Sequence, residues 1–263
     1  MPFCQYKNLD VHYTDVGKGP AVVLIHGFLE NLTMWDDYAE ALSKHYRVLR
    51  IDLLGHGKTP NLGYVHTMEE MADTVKTVLD HLKLRKYVVI GHSMGGYVAL
   101  AFAEAYPDNL RGLCLFYSTA KEDAPEKKDM RLRAIEAVKH NHKTYVRAMI
   151  PSLFAAENQT KYREKIDELI DQALVMTPQG IVAALAGMRE RKDREALLHF
   201  GPYPVCIING KQDSRIPTEE LESQLAAPNV HYHLETPYGH MGQIENRQEC
   251  LQYLENFIKH VSR

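Results

Sequence analysis

A serine between two glycines stands at residues 91–95, where the sequence reads GHSMG. The stretch fits the pattern G-x-S-x-G, in which a sharp strand-to-helix turn lifts the serine hydroxyl above the edge of a sheet. Such a turn is strained, and side chains in place of Gly91 and Gly95 would collide with the neighbouring strand and helix. The alternative is an ordinary turn in which Ser93 only caps the helix. A cap requires neither glycine, so we favour a nucleophile at Ser93.

A nucleophilic serine needs a base, and His240 is the best placed candidate. It lies between the last predicted strand and the last predicted helix, in a loop that should open at the same sheet edge as Ser93. His26 and His56 also follow strands, but each sits beside a glycine in a tight turn, where we expect a structural role. The side chain of His92 should leave the serine turn in another direction. We predict His240 as the base, with His92 or His56 as the alternatives.

The acid that orients the base should follow a strand and precede His240 in the chain. Asp213, just past the strand-like run VCIING, meets both conditions. The other available place, after the run LCLFYS, holds no carboxylate before Glu122. Asp52 follows another strand and is expected to stabilise its own loop. We predict Asp213 as the acid, the alternative being a simple turn residue.

Two backbone N–H groups are expected to stabilise the reaction. Acyl transfer builds negative charge on the former carbonyl oxygen, and donors aimed at that oxygen lower the barrier by several kcal/mol. Met94, directly after the serine, offers one donor at the start of the predicted helix. The loop HGFLEN, which follows the run AVVLI, places the N–H of Phe28 nearby. The Phe28 ring could equally be ordinary pocket lining.

The elements that must position these residues alternate between strands and helices. Apolar runs are continuous, which predicts strands covered on both faces, as in a parallel sheet with crossover helices. The runs in the first half are AVVLIHG, YRVLRIDLLGHG, YVVIGHS and LRGLCLFYS, and those in the second are YPVCIING and NVHYHLE. Helices are predicted near residues 33–44, 67–83, 94–106 and 243–260. The fold class is therefore α/β.

The strand pattern stops after residue 118 and returns after residue 198, and the segment between reads as helices. One apolar face at helical spacing runs through that segment. We therefore divide the chain into a first part of the α/β core at 1–118, a helical lid at 119–198 and a second part of the core at 199–263. A compact lid predicts an enclosed pocket.

Composition and charge argue against several classes of function. The 263 residues are 45% hydrophobic and 25% charged, as expected of one large globular domain. A net charge of -3 gives no electrostatic footprint for nucleic acid. No run approaches the roughly 18 apolar residues of a membrane span, and the first residues lack the features of a signal peptide. We expect a cytoplasmic protein with a small-molecule partner, and its oligomeric state is left open.

The cysteines predict neither a disulfide framework nor a metal site. Cys4, Cys114, Cys206 and Cys250 are far apart, and two lie in apolar strand-like runs, which is typical of inert buried thiols. No HExxH motif is present, and no cysteine has a second within four residues. We expect no cofactor and no metal.

Four segments resemble, in order and spacing, the α/β-hydrolase superfamily: HGF, GHSMGG, NGKQDSRIP and YGHMGQIE. The run DLLGHGKTP is also similar to that family's loop after the fourth strand, with Thr59 where serine often stands. The resemblance covers nearly the whole chain outside the lid. It implies an eight-stranded, mostly parallel sheet with helices on both faces and an inserted helical cap. It also implies a carboxylesterase-like serine hydrolase with the triad Ser93, Asp213 and His240.

We therefore predict hydrolysis of a small or medium carboxylic ester through a covalent acyl-enzyme. Dehalogenase- and epoxide-hydrolase-like relatives use an aspartate nucleophile, so Ser93 argues against them. Four methionines could line an apolar pocket, although we favour core packing for each: Met94, Met149, Met188 and Met241.

Two alternative functions stay open. A carbon–carbon bond hydrolase of a diketone-like substrate would ask for a lid cation that faces the pocket, for which Arg189 and Arg191 are candidates. We favour a solvated helix end for both. A ligand-sensing protein that signals through lid movement is the second alternative. A scaffold without activity is disfavoured because every triad position is filled.

Overall fold

An eight-stranded sheet runs through the computed structural model, which describes residues 2–262. Its order is β1-β2-β4-β3-β5-β6-β7-β8; the pairs β1·β2 and β2·β4 are antiparallel, and every pair from β4 to β8 is parallel. The mostly parallel sheet is therefore confirmed. The strands are β1 Phe3–Tyr6, β2 Leu9–Val16, β3 Ala21–Ile25, β4 Arg47–Ile51, β5 Tyr87–His92, β6 Leu110–Phe116, β7 Val205–Gly210 and β8 Val230–Thr236.

Helices follow most of the parallel strands. Within the described residues the α-helices are α1 Asp36–Leu42, α2 Met68–His81, α3 Met94–Ala105, α4 Pro125–Met149, α5 Arg163–Leu174, α6 Pro178–Glu190, α7 Ala196–Phe200, α8 Glu222–Leu225, α9 Gly242–Glu245 and α10 Arg247–Val261.

Both faces of the parallel strands are buried, which explains their continuous hydrophobicity. Along β3, Val23 and Ile25 belong to the core that α2, α3 and the lid helices cover. Val22 and Leu24 point to the opposite core, formed with α1 and α10. Alternate residues of one strand thus pack in different layers, as expected of a parallel sheet between two layers of helices.

The predicted helices are found, with differences at their ends. The stretch predicted at 33–44 begins as a 3₁₀ turn and continues as α1. Helix α2 begins after Thr67, whose side chain accepts a hydrogen bond from the Glu70 N–H. The closing helix is divided into α9 and α10 at Asn246, which has φ -137° and ψ 40°. The strands β1 and β2 have no counterpart among the predicted runs because β2 is only partly covered, and its residues alternate between polar and apolar.

The segment between β6 and β7 contains α4 to α7 and, within the described residues, no strand. The proposed lid limits fall three residues after β6 and inside α7. Helix α4 is broken at Asn141, whose φ of -160° and ψ of 93° are not helical. The Asn141 side chain accepts a hydrogen bond from the Thr144 N–H at 3.1 Å, so it caps the second half of α4.

The four cysteines are buried and free, as the sequence predicts. Burial raises the pKa of the Cys250 thiol to about 12, so this thiol is protonated at neutral pH. Among residues 2–262, no group of three His, Cys, Asp or Glu side chains is placed to hold a metal ion. No single helix in that part of the chain is long and apolar enough to cross a membrane; α5 and α6 reach that length and composition only as a pair bent by 99°.

Candidate active site

Ser93 lies at the sharp turn between β5 and α3. Its φ of 51° and ψ of -116° fall outside the ordinary regions for a side chain with a Cβ, so the backbone here is strained. A Cβ on Gly91 would strike the carbonyl group of Gly95. One on Gly95 would lie 2.5 Å from the carbonyl oxygens of Ile25 and His26. The predicted steric need for both glycines is confirmed.

Three side chains meet at the carboxyl edge of the sheet. The Ser93 Oγ lies 2.8 Å from Nε2 of His240, and Nδ1 of His240 lies 2.7 Å from Oδ2 of Asp213. Ser93 follows β5, Asp213 follows β7 and His240 follows β8, so parallel strands deliver all three to one edge. The structure therefore brings together the three residues predicted as nucleophile, acid and base.

Hydrogen bonds fix the roles of the atoms in the series of Ser93, His240 and Asp213. The Asp213 Oδ1 accepts the backbone N–H groups of Arg215 at 2.7 Å and Ile216 at 3.1 Å, which holds the carboxylate in place. The Asp213 side chain is 0% exposed and that of His240 is 3% exposed. Because a carboxylate accepts from Nδ1–H, the Nε2 lone pair of neutral His240 faces the Ser93 hydroxyl. A base in this tautomer can accept the serine proton.

The residues predicted to supply the two backbone donors are Met94, at the serine turn, and Phe28, which lines the same cavity as Ser93. Met94 is the first residue of α3, so its N–H has no acceptor within the helix. Phe28 follows β3, which pairs in parallel with β5, and its side chain shares a cavity with Ser93. The Phe28 ring lines that cavity and meets His56 edge-on at 6.3 Å.

The other candidate histidines are structural. His26 accepts the Leu53 N–H at Nε2, and its Nδ1–H donates to the Gly27 carbonyl at 2.8 Å. His56 is fully buried, with Nδ1 3.0 Å from the Leu54 carbonyl oxygen. Neither side chain contacts Ser93 through a hydrogen bond in the described structure, which agrees with the structural roles expected from the sequence.

Asp52 also has the role that the sequence predicts. Its carboxylate accepts the backbone N–H groups of Leu32 at 2.8 Å and Lys58 at 2.9 Å, and it contacts the His12 ring at 2.7 Å. These contacts tie the loop after β4 to its neighbours.

A buried ion pair, formed by His92 and Glu30, contacts the backbone of His240. The His92 Nδ1 is 2.8 Å from Oε2 of Glu30, and its Nε2 is 3.1 Å from the backbone oxygen of His240. Both partners are acceptors, and only a doubly protonated imidazole donates to both. Glu30 in turn accepts the Gly27 N–H and the Gln243 amide, so its oxygens act as acceptors throughout.

In both groups the effect of the opposite charge on the pKa outweighs the effect of burial. Burial by itself would lower the pKa of His92, but the adjacent Glu30 carboxylate raises it. Burial would likewise raise the pKa of Glu30, and His92 lowers it. The pair is therefore an imidazolium and a carboxylate. Sequence reasoning missed Glu30, although it lies in the same HGFLEN loop as Phe28.

A second buried carboxylate ties the histidine loop to the lid. One oxygen of Glu245 accepts the Gly239 N–H at 3.1 Å, and the other accepts the Ala155 N–H at 2.9 Å. The His240 N–H itself donates to the Leu153 oxygen at 2.8 Å. The loop that carries the base is thus held by the segment after α4. Sequence reasoning also missed Glu245.

A cavity of about 250 Å³ opens beside Ser93 and His240. Its apolar walls come largely from the lid, and its lining also includes charged groups. The apolar and aromatic lining residues are Phe28, Leu29, Tyr97, Met130, Ala134, Tyr145, Met149, Leu153, Leu185 and Met188, and the charged ones are Glu30, Lys127, Arg131 and Arg215. Met94 and Met241 pack in the core as expected. Met188 is likewise buried in the core and also lines the cavity, whereas Met149 is only partly buried and lines the cavity.

The expectation of a solvated helix end is wrong for Arg191. The Arg191 side chain is 2% exposed, pairs with Asp123 at 2.7 Å and stacks 4.0 Å from the centre of the Tyr97 ring. Arg189 is partly buried, and its Nε has no acceptor. Neither arginine lines the cavity beside Ser93. Asp123 draws Arg191 inward because two opposite charges that leave water must pair.

The cations that line the cavity are Lys127, Arg131 and Arg215, which sequence reasoning missed. Arg131 lies in α4 one turn before the buried Ile135, so its place on the inner face of a helix was a usable signal. Arg215 lies two residues after Asp213, in the same loop. That proximity to the predicted acid was a signal as well.

Comparisons with known proteins agree with this architecture. A family model described as alpha/beta hydrolase fold matches residues 20–247. The thermophilic esterase from Thermogutta terrifontis, solved with malate bound, superposes with a TM-score of 0.92; it is 33% identical, and the alignment covers 99% of this chain and 98% of that one.

Two curated relatives are similar in sequence. The pimeloyl-[acyl-carrier protein] methyl ester esterase of Nitrosomonas europaea is 27% identical over 77% of this chain and 81% of its own length. The dihydrolipoyllysine-residue acetyltransferase component of the acetoin cleaving system of Pseudomonas putida is 28% identical over 92% of this chain. This chain spans 64% of the length of that acetyltransferase component, less than two thirds.

Proposed function

We propose that this chain, which belongs to the alpha/beta hydrolase fold family, is a serine hydrolase that cleaves a small or medium carboxylic ester. The observation that carries the proposal is the hydrogen-bonded series of Ser93, His240 and Asp213, with 2.8 Å and 2.7 Å between the bonded atoms. Serine, imidazole and carboxylate in this arrangement form a nucleophile, its base and the group that orients the base.

In the proposed first step, the Ser93 oxygen attacks the carbonyl carbon of the ester while His240 Nε2 takes the hydroxyl proton. The carbonyl electrons move to oxygen, and the N–H groups of Met94 and Phe28 stabilise the resulting oxyanion. The intermediate then expels the alcohol, which receives the proton from His240. The product of this step is an acyl group bonded to Ser93.

In the proposed second step, water attacks the acyl carbon and gives a proton to His240. The second intermediate expels the Ser93 oxygen, which takes that proton back, and the carboxylic acid leaves. Asp213 stabilises the imidazolium in both steps without taking its proton. The resting enzyme is restored, so turnover repeats.

A carbon–carbon bond hydrolase is the second candidate. This reaction class was expected to use a lid cation that faces the pocket, and Arg131 of α4 is such a cation. The same serine, base and acid would serve this reaction. A diketone-like substrate assayed beside the esters separates the two activities.

The first prediction concerns turnover of p-nitrophenyl acetate and butyrate. Wild-type protein should hydrolyse them with multiple turnovers, and Ser93→Ala should lower kcat at least about 10³-fold because it removes the nucleophile. Release of p-nitrophenol measures the rate, and mass spectrometry of the fluorophosphonate adduct locates the labelled serine. Ser223→Ala, at an exposed serine in α8, is the control and should retain the wild-type rate.

Three outcomes would contradict the ester hydrolase. Equal rates for wild type and Ser93→Ala would place the chemistry elsewhere. Cleavage of the diketone with no ester turnover would favour the carbon–carbon hydrolase. Labelling in a single turnover, followed by lid rearrangement and no further release, would favour the ligand-sensing protein.

A further inference from the structure

Two guanidinium groups line the cavity that Ser93 opens into. Arg131 reaches it from α4, and Arg215 reaches it from the loop that carries Asp213. Tyr145, from the second half of α4, lines the same cavity. Burial raises the pKa of its hydroxyl, and the charges of Arg131 and Arg215 oppose that increase. The two arginines and the tyrosine therefore form one wall of the cavity, which we call the arginine wall.

Arg131 is only partly satisfied by the protein. Its Nε and one terminal nitrogen donate to Asp123, and its other terminal nitrogen lies 3.4 Å from the Met188 sulfur. Asp123 is shared, because its Oδ1, which also accepts from Arg131, pairs with Arg191 at 2.7 Å. One carboxylate thus serves two guanidinium groups, which leaves one positive charge in excess.

The positive charge of Arg215 is compensated less than that of Arg131. Within residues 2–262 no carboxylate lies at ion-pair distance from its guanidinium, which donates to the Ser152 hydroxyl. Its Nε is buried and has no acceptor in that part of the chain. A guanidinium has five N–H donors, and a buried donor without an acceptor is costly. Burial lowers the pKa of Arg215 below its ordinary value; Tyr145 and Asp213 act in the opposite direction, and the charge of Arg131 adds to the decrease.

The other charged groups around the cavity already have partners in the protein. Glu30 pairs with His92, and the Asp213 carboxylate is hydrogen-bonded to neutral His240. Lys127 donates to the Arg215 backbone oxygen and lies 3.4 Å from the Glu220 carboxylate. The arginine wall therefore brings a net positive charge to the space beside the nucleophile.

We infer that the arginine wall is a carboxylate-binding subsite, and that the ester this protein hydrolyses carries a carboxylate at one end. A guanidinium presents its donors in a planar fork that matches a carboxylate. The apolar lining around it excludes water and strengthens that contact. The inference rests on the proposed ester hydrolysis and adds the substrate class.

The test compares charged esters with neutral esters of the same shape. Monomethyl glutarate carries the carboxylate on the acyl side, and methyl 5-methylhexanoate replaces it with an isopropyl group. On the alcohol side, 4-acetoxybutanoate is matched by 4-methylpentyl acetate. Acid release in a pH-stat gives kcat/KM for each ester, and the ratio of charged to neutral ester measures the subsite.

Wild-type protein should prefer the charged ester of at least one pair by tenfold or more, and the preferred pair identifies the side on which the carboxylate lies. Arg215→Gln should lower that ratio about 10- to 100-fold, because a charge-assisted hydrogen bond is lost. Arg215→Lys, which keeps the charge but not the fork, should retain part of the ratio. Arg163→Gln, at an arginine whose side chain is 82% exposed, should leave the ratio unchanged.

Fluorophosphonate labelling of Ser93 in each variant checks that the site is folded. A wild-type ratio near one in both pairs, or an equal ratio in wild type and Arg215→Gln, would overturn the subsite while neutral ester turnover upholds the proposed function. Loss of all ester turnover in wild type would instead overturn the proposed function. Preference for a phosphate-bearing ester over the carboxylate esters would overturn the assignment of the carboxylate.

Discussion

The buried ion pair of Glu30 and His92 helps to position His240, the proposed base. His92 holds the backbone oxygen of His240, and the two imidazole rings are 5.1 Å apart. The two residues are 62 positions apart in the sequence, and both are buried. Its contribution to the site is therefore positional, through the main chain of the histidine loop.

Replacement of Glu30 by glutamine should destabilise the fold. The change leaves the His92 imidazolium buried without its counter-charge, and breaking such a pair costs about 3–5 kcal/mol. Urea unfolding should show this decrease in the free energy of unfolding, whereas Glu222→Gln, at an exposed glutamate in α8, should stay within about 0.5 kcal/mol of wild type. Equal stability of the two variants would mean that the pair is not ionised.

The pH dependence of this difference follows from the two pKa shifts. The Glu30 pKa is lowered from 4.5, so its stabilisation is present above pH 4.5 and is lost as pH falls through the folded pKa. The His92 pKa is raised from 6.5, so its stabilisation is present below pH 6.5 and is lost as pH rises through the folded pKa. The gap between wild type and Glu30→Gln should be largest from pH 4.5 to 6.5.

The junction of β5 and α3 depends on how closely its backbone approaches β3. Gly95 lies in the first turn of α3, against the carbonyl oxygens at the end of β3. That contact sets where α3 begins, and so where Ser93 and the Met94 N–H lie. Helix propensity would favour alanine at this position, but the close approach forbids it.

Gly95→Ala should therefore lower both stability and activity. The added Cβ would lie 2.5 Å from two carbonyl oxygens, and the backbone shift that relieves the clash costs about 1–3 kcal/mol. Thermal unfolding and p-nitrophenyl butyrate turnover measure the two effects. Gly63→Ala is the control: no atom lies within 4 Å of its added Cβ, so only the positive φ of 76° is penalised and activity should be kept. Full activity in Gly95→Ala would contradict the proposed dependence of the site on this contact.

Both halves of the broken helix α4 contribute to the cavity. Arg131 and Ala134 lie before Asn141, and Tyr145 and Met149 lie after it. The exposed side chain of Asn141 caps the second half.

Buried neutral histidines make the stability of the fold depend on pH in the acidic range. Burial lowers the pKa of His26 and His56, and it lowers that of His66 to about 4. His66 accepts the Leu62 N–H at Nε2, and its Nδ1 is buried without a partner, so the folded state holds it neutral. The unfolded chain takes up these protons near pH 6.5.

The free energy of unfolding should consequently fall as pH decreases from about 6.5 toward 4. Each such histidine contributes a slope of up to about 1.4 kcal/mol per pH unit in the interval between its unfolded and folded pKa. Urea unfolding at several pH values measures the slope. His66→Asn should flatten it, and His231→Asn, at an exposed histidine, should not. A slope that His66→Asn leaves unchanged would contradict this account.

Local sequence was sufficient for the parts of the protein that depend on chain order and residue type. The strand-to-helix turn at Ser93, the parallel sheet and the meeting of Ser93, Asp213 and His240 could all be predicted, because parallel strands end at one edge and each residue lies in the connection that follows a strand. Tertiary structure alone decided the walls and supports of the site. Glu30 pairs with His92, which lies 62 residues away in the sequence. Arg191 is buried because it pairs with Asp123, which belongs to another segment. Contacts of this kind arise from packing between distant segments, and no local pattern records them.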